Sequence, residues 1–213
     1  MSASIRETRR TVIENMHVCK GLIAVLLAVC LLTTTAHADM PQAYGDEKEI
    51  WIYLEELCPT EQMAAGIIGW FFRESRLKSD AVAGWDVRPG GTCEAFVKAV
   101  DEGMEKFEFI RQVQNYGGFG LGQWVSTKYL SDLYEYITEN DYSIADIRGQ
   151  CEFAVWSIQK CDDLWSELQV GCTTAIQCGR RIGLYYDGTS AEGAEAIAGF
   201  ADYYYRRMAN DEV

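Results

Sequence analysis

The chain has 213 residues, 19 basic and 32 acidic side chains, a formal net charge of -13 and eight cysteines. Such an acidic balance argues against nucleic acid as a partner, because phosphate binding is driven by basic patches, and it disfavours adhesion to anionic lipid. No Gly/Ser-rich or Pro-rich linker and no internal repeat divides the sequence.

The first forty residues differ from the rest. Arg6, Arg9, Arg10 and Lys20 lead into the apolar run "GLIAVLLAVCLL" and then "AHA". That order predicts a secretory signal peptide over residues 1–38, cleaved after Ala38. The apolar core, Gly21 to Leu32, is shorter than the roughly 20 residues that span a bilayer. The expected product is therefore secreted, extracellular and free of the membrane after cleavage. Loss of the segment removes four basic and two acidic residues, leaving fifteen basic against thirty acidic, and 175 residues that suit a single domain. It also removes both histidines, His17 and His37. A mature chain without histidine excludes Ser-His-Asp and Cys-His nucleophilic systems in their usual form, and His-ligated zinc. Proton chemistry then falls to carboxylate, tyrosine and lysine. Cys19 and Cys30 leave with the signal, so Cys58, Cys93, Cys151, Cys161, Cys172 and Cys178 remain. Six cysteines in an exported chain predict three disulfides, with the pairing open. Zinc is the weaker alternative, since paired C-x-x-C spacings are lacking.

The rest reads as helices joined by short turns. "DEKEIWIYLEEL", 46 to 57, belongs to an N-terminal helical extension over 39–58. A second helix starts near Thr60, an expected N-cap, and carries Ala64, Ile67, Ile68 and Phe71 on one side, with Gly66 and Gly69 on the other, where a neighbouring backbone can come close. "AVAGWDVRPGGTC", 81 to 93, is a loop. One long helix is predicted from Glu94 to about Gln114, with Phe96, Val97, Val100, Met104, Phe107 and Ile110 on one face. "NYGGFGLGQW", 115 to 124, interrupts it. Ser126 is placed to cap the next helix, containing Leu130, Leu133 and Tyr134, and Ser143 with Asp146 forms a capping-box-like start for another. "CTTAIQCGRRIGLYYD" and "SAEGAEAIAGFADYYYRRM" complete a mainly α domain over 59–208, with 209–213 as a tail.

Two stretches carry the chemistry. At about 100° per residue, Glu74 of "FFRESRL" falls on the flank of the apolar stripe, near the negative end of the helix dipole. Both surroundings disfavour the carboxylate and raise its pKa, which suits a general acid. The blander alternative is a frayed helix end with Glu74 paired to Arg73 or Arg76 in solvent. "YGGFGLGQW" combines close-approach glycines with the flat surfaces of Tyr116, Gln123 and Trp124, a combination suited to sugars. A phosphate cradle is disfavoured, because neither a preceding strand nor a following Lys-Ser/Thr pair is present.

Together, "AAGIIGWFFRESRL", "YGGFGLGQW" and "IRGQCEFAVWSI" resemble the phage tail lysozyme family, a peptidoglycan-cleaving group of the lysozyme-like superfamily. The pattern is a helix ending in Glu-Ser (Glu74-Ser75), a Gly-Gly-aromatic-Gly-Leu-x-Gln-Trp segment ending at Trp124, and a later helix opening with a glutamine (Gln150). The resemblance covers about residues 59 to 208. Trp70 departs from it, standing where asparagine is common, and the insertion between Ser75 and Tyr116 is larger than the pattern needs. The resemblance implies a lysozyme-like helical domain, disulfide-stapled here, that cleaves the β-1,4 bond of peptidoglycan glycan strands as a monomer, without metal or cofactor. Glu74 would be the acid, Tyr116, Gln123 and Trp124 would line the sugar groove, and Gly118 and Gly120 would let the chain pass close to it. A second carboxylate would come from Asp86, Glu94 or Asp187. Alternatives are a lytic transglycosylase giving anhydro products, a non-catalytic glycan-binding module and a structural interaction domain.

Overall fold

The computed structural model describes residues 40–83 and 93–209. The chain divides after Gln42, and the second unit, Ala43–Val213, contains all of the helices among the described residues. The predicted signal peptide lies outside the described residues.

Among the described residues there are nine α-helices, two π-helical segments and no strand beyond isolated bridges. Helix α1, Glu47–Leu57, starts at Asp46, whose carboxylate accepts from Glu49 N–H, and buries Ile50, Trp51 and Leu54. Helix α2, Glu61–Ser75, starts at Thr60, whose hydroxyl accepts from Met63 N–H as expected. Every residue from Met63 to Phe72 is buried, so α2 is apolar all round and forms the axis of the domain. Its closest neighbours are helix α8, Ala175–Arg181, and helix α9, Ala191–Met208. The glycine face of α2 is where they come: a Cβ on Gly69 would meet Ala201 N at 2.6 Å, and one on Gly66 would meet the Cys178 Cβ at 2.9 Å. Only glycine permits these crossings.

The single long helix expected from Glu94 to Gln114 is instead two, α3 (Cys93–Asp101) and α4 (Lys106–Gln114). Gly103, at φ 110°, breaks the run by taking a left-handed conformation. The break turns the second half about its axis, so Phe109 and Val113 face the core while Phe107 is 78% exposed. Helix α5, Thr127–Glu139, is capped by Ser126, as predicted. Helix α6, Ile147–Gln159, is capped by Asp146, whose carboxylate accepts from Gly149 N–H; Ser143, three residues earlier, donates instead to Asp101. Helix α7, Asp162–Ser166, runs into a π-helical segment, Glu167–Gly171, and α8 runs into a second, Ile182–Asp187.

The expected disulfide staples are not shown: among Cys58, Cys93, Cys151, Cys161, Cys172 and Cys178 no pair lies at bonding distance. Burial pushes the Cys58 thiol up to about 12 and raises Cys151 and Cys178 as well. A core of large apolar side chains holds the domain together.

Candidate active site

The C-terminal end of α2 delivers Glu74 and Ser75. The helix ends because Arg76 and Leu77 both adopt left-handed conformations, at φ 56° and 65°, and Tyr44 N–H caps the Arg76 carbonyl at 2.8 Å. Glu74 is one residue from that end, and its side chain is only 19% exposed. It accepts a hydrogen bond from Arg73 Nη1, the pairing foreseen as an alternative, but within a largely buried corner rather than in solvent. Burial holds the Glu74 carboxyl above the usual range; the negative charge of Asp187 raises it further, and Arg73 acts in the opposite direction.

Asp187 is brought to this corner by the π-helical segment Ile182–Asp187, in which Gly188 N–H bonds back to the Gly183 carbonyl five residues earlier. One oxygen, Oδ1, accepts from Trp70 Nε1 at 3.0 Å, and the other, Oδ2, lies 3.7 Å from Arg73 Nη1. Two carboxylates thus share one guanidinium nitrogen. Asp187 is also raised, chiefly by burial, against the lowering effects of Trp70 and Arg73.

The glycine-rich loop is fastened beside Glu74 by polar side chains. Ser75 Oγ donates to the Leu121 carbonyl at 2.9 Å. Gln150, on α6 and fully buried, accepts from Leu121 N–H at 2.7 Å and donates to the Ser79 and Ile144 carbonyls, each at 2.8 Å. Gly120, at φ 74°, permits this approach, since a Cβ there would meet Gln150 Oε1 at 2.6 Å. Isolated antiparallel bridges join Phe119 to Val82 and to Trp124.

The predicted sugar-lining residues are placed differently from expectation. Trp124 is 3% exposed, because the Phe119–Trp124 bridge turns its indole inward against Trp70 and Phe153. Gln123 points its amide to the Ala81 and Gly120 carbonyls. Both therefore build the loop rather than an open aromatic wall. Gly118 and Gly120 are buried, and Tyr116 is half-buried at the loop's start. Of the three candidates for a second carboxylate, the structure brings Asp187 to Glu74 and leaves Glu94 on the exposed side of α3, while Asp86 lies outside the described residues. Arg73, as the link between two carboxylates, and Trp70, as a donor, were not apparent in the sequence, because their partner Asp187 is more than a hundred positions away. Two surface depressions, one lined by Cys161, Asp162, Asp163, Leu164, Glu167 and Tyr185 and one by Asp46, Lys48, Glu49, Ile52 and Tyr53, include no residue of this corner.

Among the described residues no cluster of three or more His, Cys, Asp or Glu side chains is placed to hold a metal ion, and no helix is long and apolar enough to cross a membrane. A helical domain with a shielded glutamate at a helix end, next to a glycine-rich loop clamped by glutamine, defines a lysozyme-like protein. Residues 46–211 match the family described as phage tail lysozyme, and the chain belongs to that family. The match begins within the turn that opens α1, which packs on α2 and α6. No curated protein matches the chain, and no solved structure does. Membership suggests peptidoglycan-lytic activity, exerted on the cell wall.

Proposed function

We propose that this chain is an exported glycosidase that cleaves the β-1,4 bond of peptidoglycan glycan strands, with Glu74 as general acid. The observation that carries the reading is the position of Glu74: largely buried at the end of α2, beside a second carboxylate, with its carboxyl held above the usual range. A group so placed retains its proton closer to neutral pH than a surface glutamate, whose reference pKa is about 4.3. Protonation of the glycosidic oxygen by Glu74 lets the C1–O bond break and leaves Glu74 as a carboxylate. Water then adds to C1, giving its proton to Glu74 and restoring the acid. In a retaining or inverting hydrolase a second carboxylate would assist that step.

A second reading, a lytic transglycosylase, is favoured by one specific observation. Both oxygens of Asp187 face protein donors, and Glu94 is exposed on α3. With no free second carboxylate beside Glu74 among the described residues, a hydroxyl of the muramyl sugar itself would attack C1, passing its proton to the Glu74 carboxylate and closing an anhydro ring. Digestion of purified peptidoglycan followed by mass spectrometry separates the two: reducing muramyl ends mark the hydrolase and anhydro ends the transglycosylase. Absence of cleavage by the wild-type protein would instead mark a glycan-binding module. Glu74→Gln is expected to lose at least about 100-fold in cleavage while keeping its helical signal; activity above about a tenth of wild type would remove Glu74 from the mechanism.

A further inference from the structure

With Glu74 taken as the proton donor, as proposed above, the surroundings of Asp187 decide what that second carboxylate does. A nucleophile or water-activating base needs an oxygen lone pair aimed at open space. Asp187 has little to offer: Oδ1 is engaged by the Trp70 indole at 3.0 Å and Oδ2 faces Arg73, and the side chain is 16% exposed. The indole cannot easily swing away, since Trp70 is 1% exposed and packs against Phe71, Trp124 and Tyr186. Arg73 is confined on its other side by α9, where a Cβ on Gly193 would come within 2.9 Å of Nη2.

We propose that Asp187 is a positioning residue for Glu74: anchored by Trp70, it holds the Arg73 guanidinium that donates to Glu74, and so fixes both the orientation and the charge surroundings of the acid. The chain of contacts runs from a rigid indole to a carboxylate, to a guanidinium, to the acid. Among the described residues the charged groups facing Glu74 are Arg73 from α2 and Asp187 from the π-helical segment. The third element at this corner, α9, presents Gly193 to Arg73, and the glycine-rich loop presents the Leu121 carbonyl to Ser75. The two charged neighbours act in opposite senses, Asp187 favouring the protonated acid and Arg73 its anion.

The opposed signs give the test. The kcat of the full-length protein is followed against pH on soluble glycan fragments for Asp187→Asn, Arg73→Gln and Glu74→Gln, with helical content checked for each. Asp187→Asn is expected to keep at least about a tenth of wild-type activity at acid pH and to move the alkaline limb down, on the order of half a pH unit. Arg73→Gln is expected to move that limb up. Trp70→Phe, which keeps the ring but removes the N–H, should lower kcat and add little when combined with Asp187→Asn, as for residues acting through one chain of contacts. A loss of more than about 100-fold in Asp187→Asn at every pH, with the limb unmoved, would make Asp187 a reacting carboxylate and overturn the proposal. Limbs that stay in place in both variants, or move together, would overturn it equally. If Asp187→Asn fails to fold, Arg73→Gln decides alone: a limb moved up supports the proposal and an unmoved one refutes it. An active Glu74→Gln is a separate failure, since it removes the acid itself.

Discussion

The two faces of α2 are held by different physics. Towards α8 and α9 the helix packs chiefly through Gly66 and Gly69, with backbones in direct approach. At its C-terminal end it meets the glycine-rich loop, where Ser75 and Gln150 hold backbone groups by hydrogen bonds. Close packing is unforgiving of volume, whereas a few directional bonds fix the shape of a loop that has little apolar surface of its own. Damage to the first region should unfold the protein, and damage to the second should disable a folded one.

The sharpest break of that comparison is Gly69→Ala. Helix propensity alone would favour alanine by about 1 kcal/mol, but its methyl would press on the Ala201 backbone at 2.6 Å. A net loss of about 3 kcal/mol is expected, roughly 6–12 °C in Tm by thermal denaturation; an unchanged Tm would mean that the helices can separate freely. Gln150→Leu comes next. It leaves Leu121 N–H and the Ser79 and Ile144 carbonyls without their partner, at a cost of about 2 kcal/mol. Wall cleavage should be lost at temperatures where the helical signal is intact, and the Leu121 amide should exchange faster. Persistent protection of that amide would show that the loop does not depend on the glutamine. Ser75→Ala removes one bond to the loop and should cost about 1 kcal/mol, with a smaller drop in cleavage read in the same assay.

The smallest expected effect has the opposite sign. In Glu74 the folded-state pKa lies above the unfolded value, so between the two the folded protein binds more protons than the unfolded. The associated stability is complete below the unfolded pKa and is lost as pH rises through the folded one. Glu74→Gln, which has no charge to bury, should therefore raise Tm slightly at pH 7–8 and leave it nearly unchanged at pH 4. A fall in Tm at pH 7–8 would show that the Arg73 contact outweighs burial.

Much of this architecture was legible because local rules wrote it. Thr60 and Ser126 each cap the helix immediately after them, and the Gly66 and Gly69 face anticipated close neighbours. The helix expected across 94–114 failed because apolar spacing continues through Gly103, while the backbone there turns left-handed and resets the face. Glu74 could be singled out since its position on the flank of an apolar stripe follows from the spacing of its own helix. Trp124 was misplaced because an aromatic side chain next to glycines has the same signature whether it faces sugar or core, and a bridge to Phe119 decides between them. The contact between Arg73 and Asp187 depends on how α2 meets the segment after α8, which no local pattern encodes.

The π-helical segment has a genetic side. Such a turn holds one residue more than an α-helix would use over the same rise. Deleting a single codon at Leu184 or Tyr185, both exposed, would remove that extra residue, and with it the wide turn, closed by Gly188 N–H on the Gly183 carbonyl, that presents Asp187 to Trp70. Spacing, as much as residue type, is therefore inherited information at this corner. A library of point substitutions could sample all nineteen replacements at every position and still miss it, whereas length variants would find it at once.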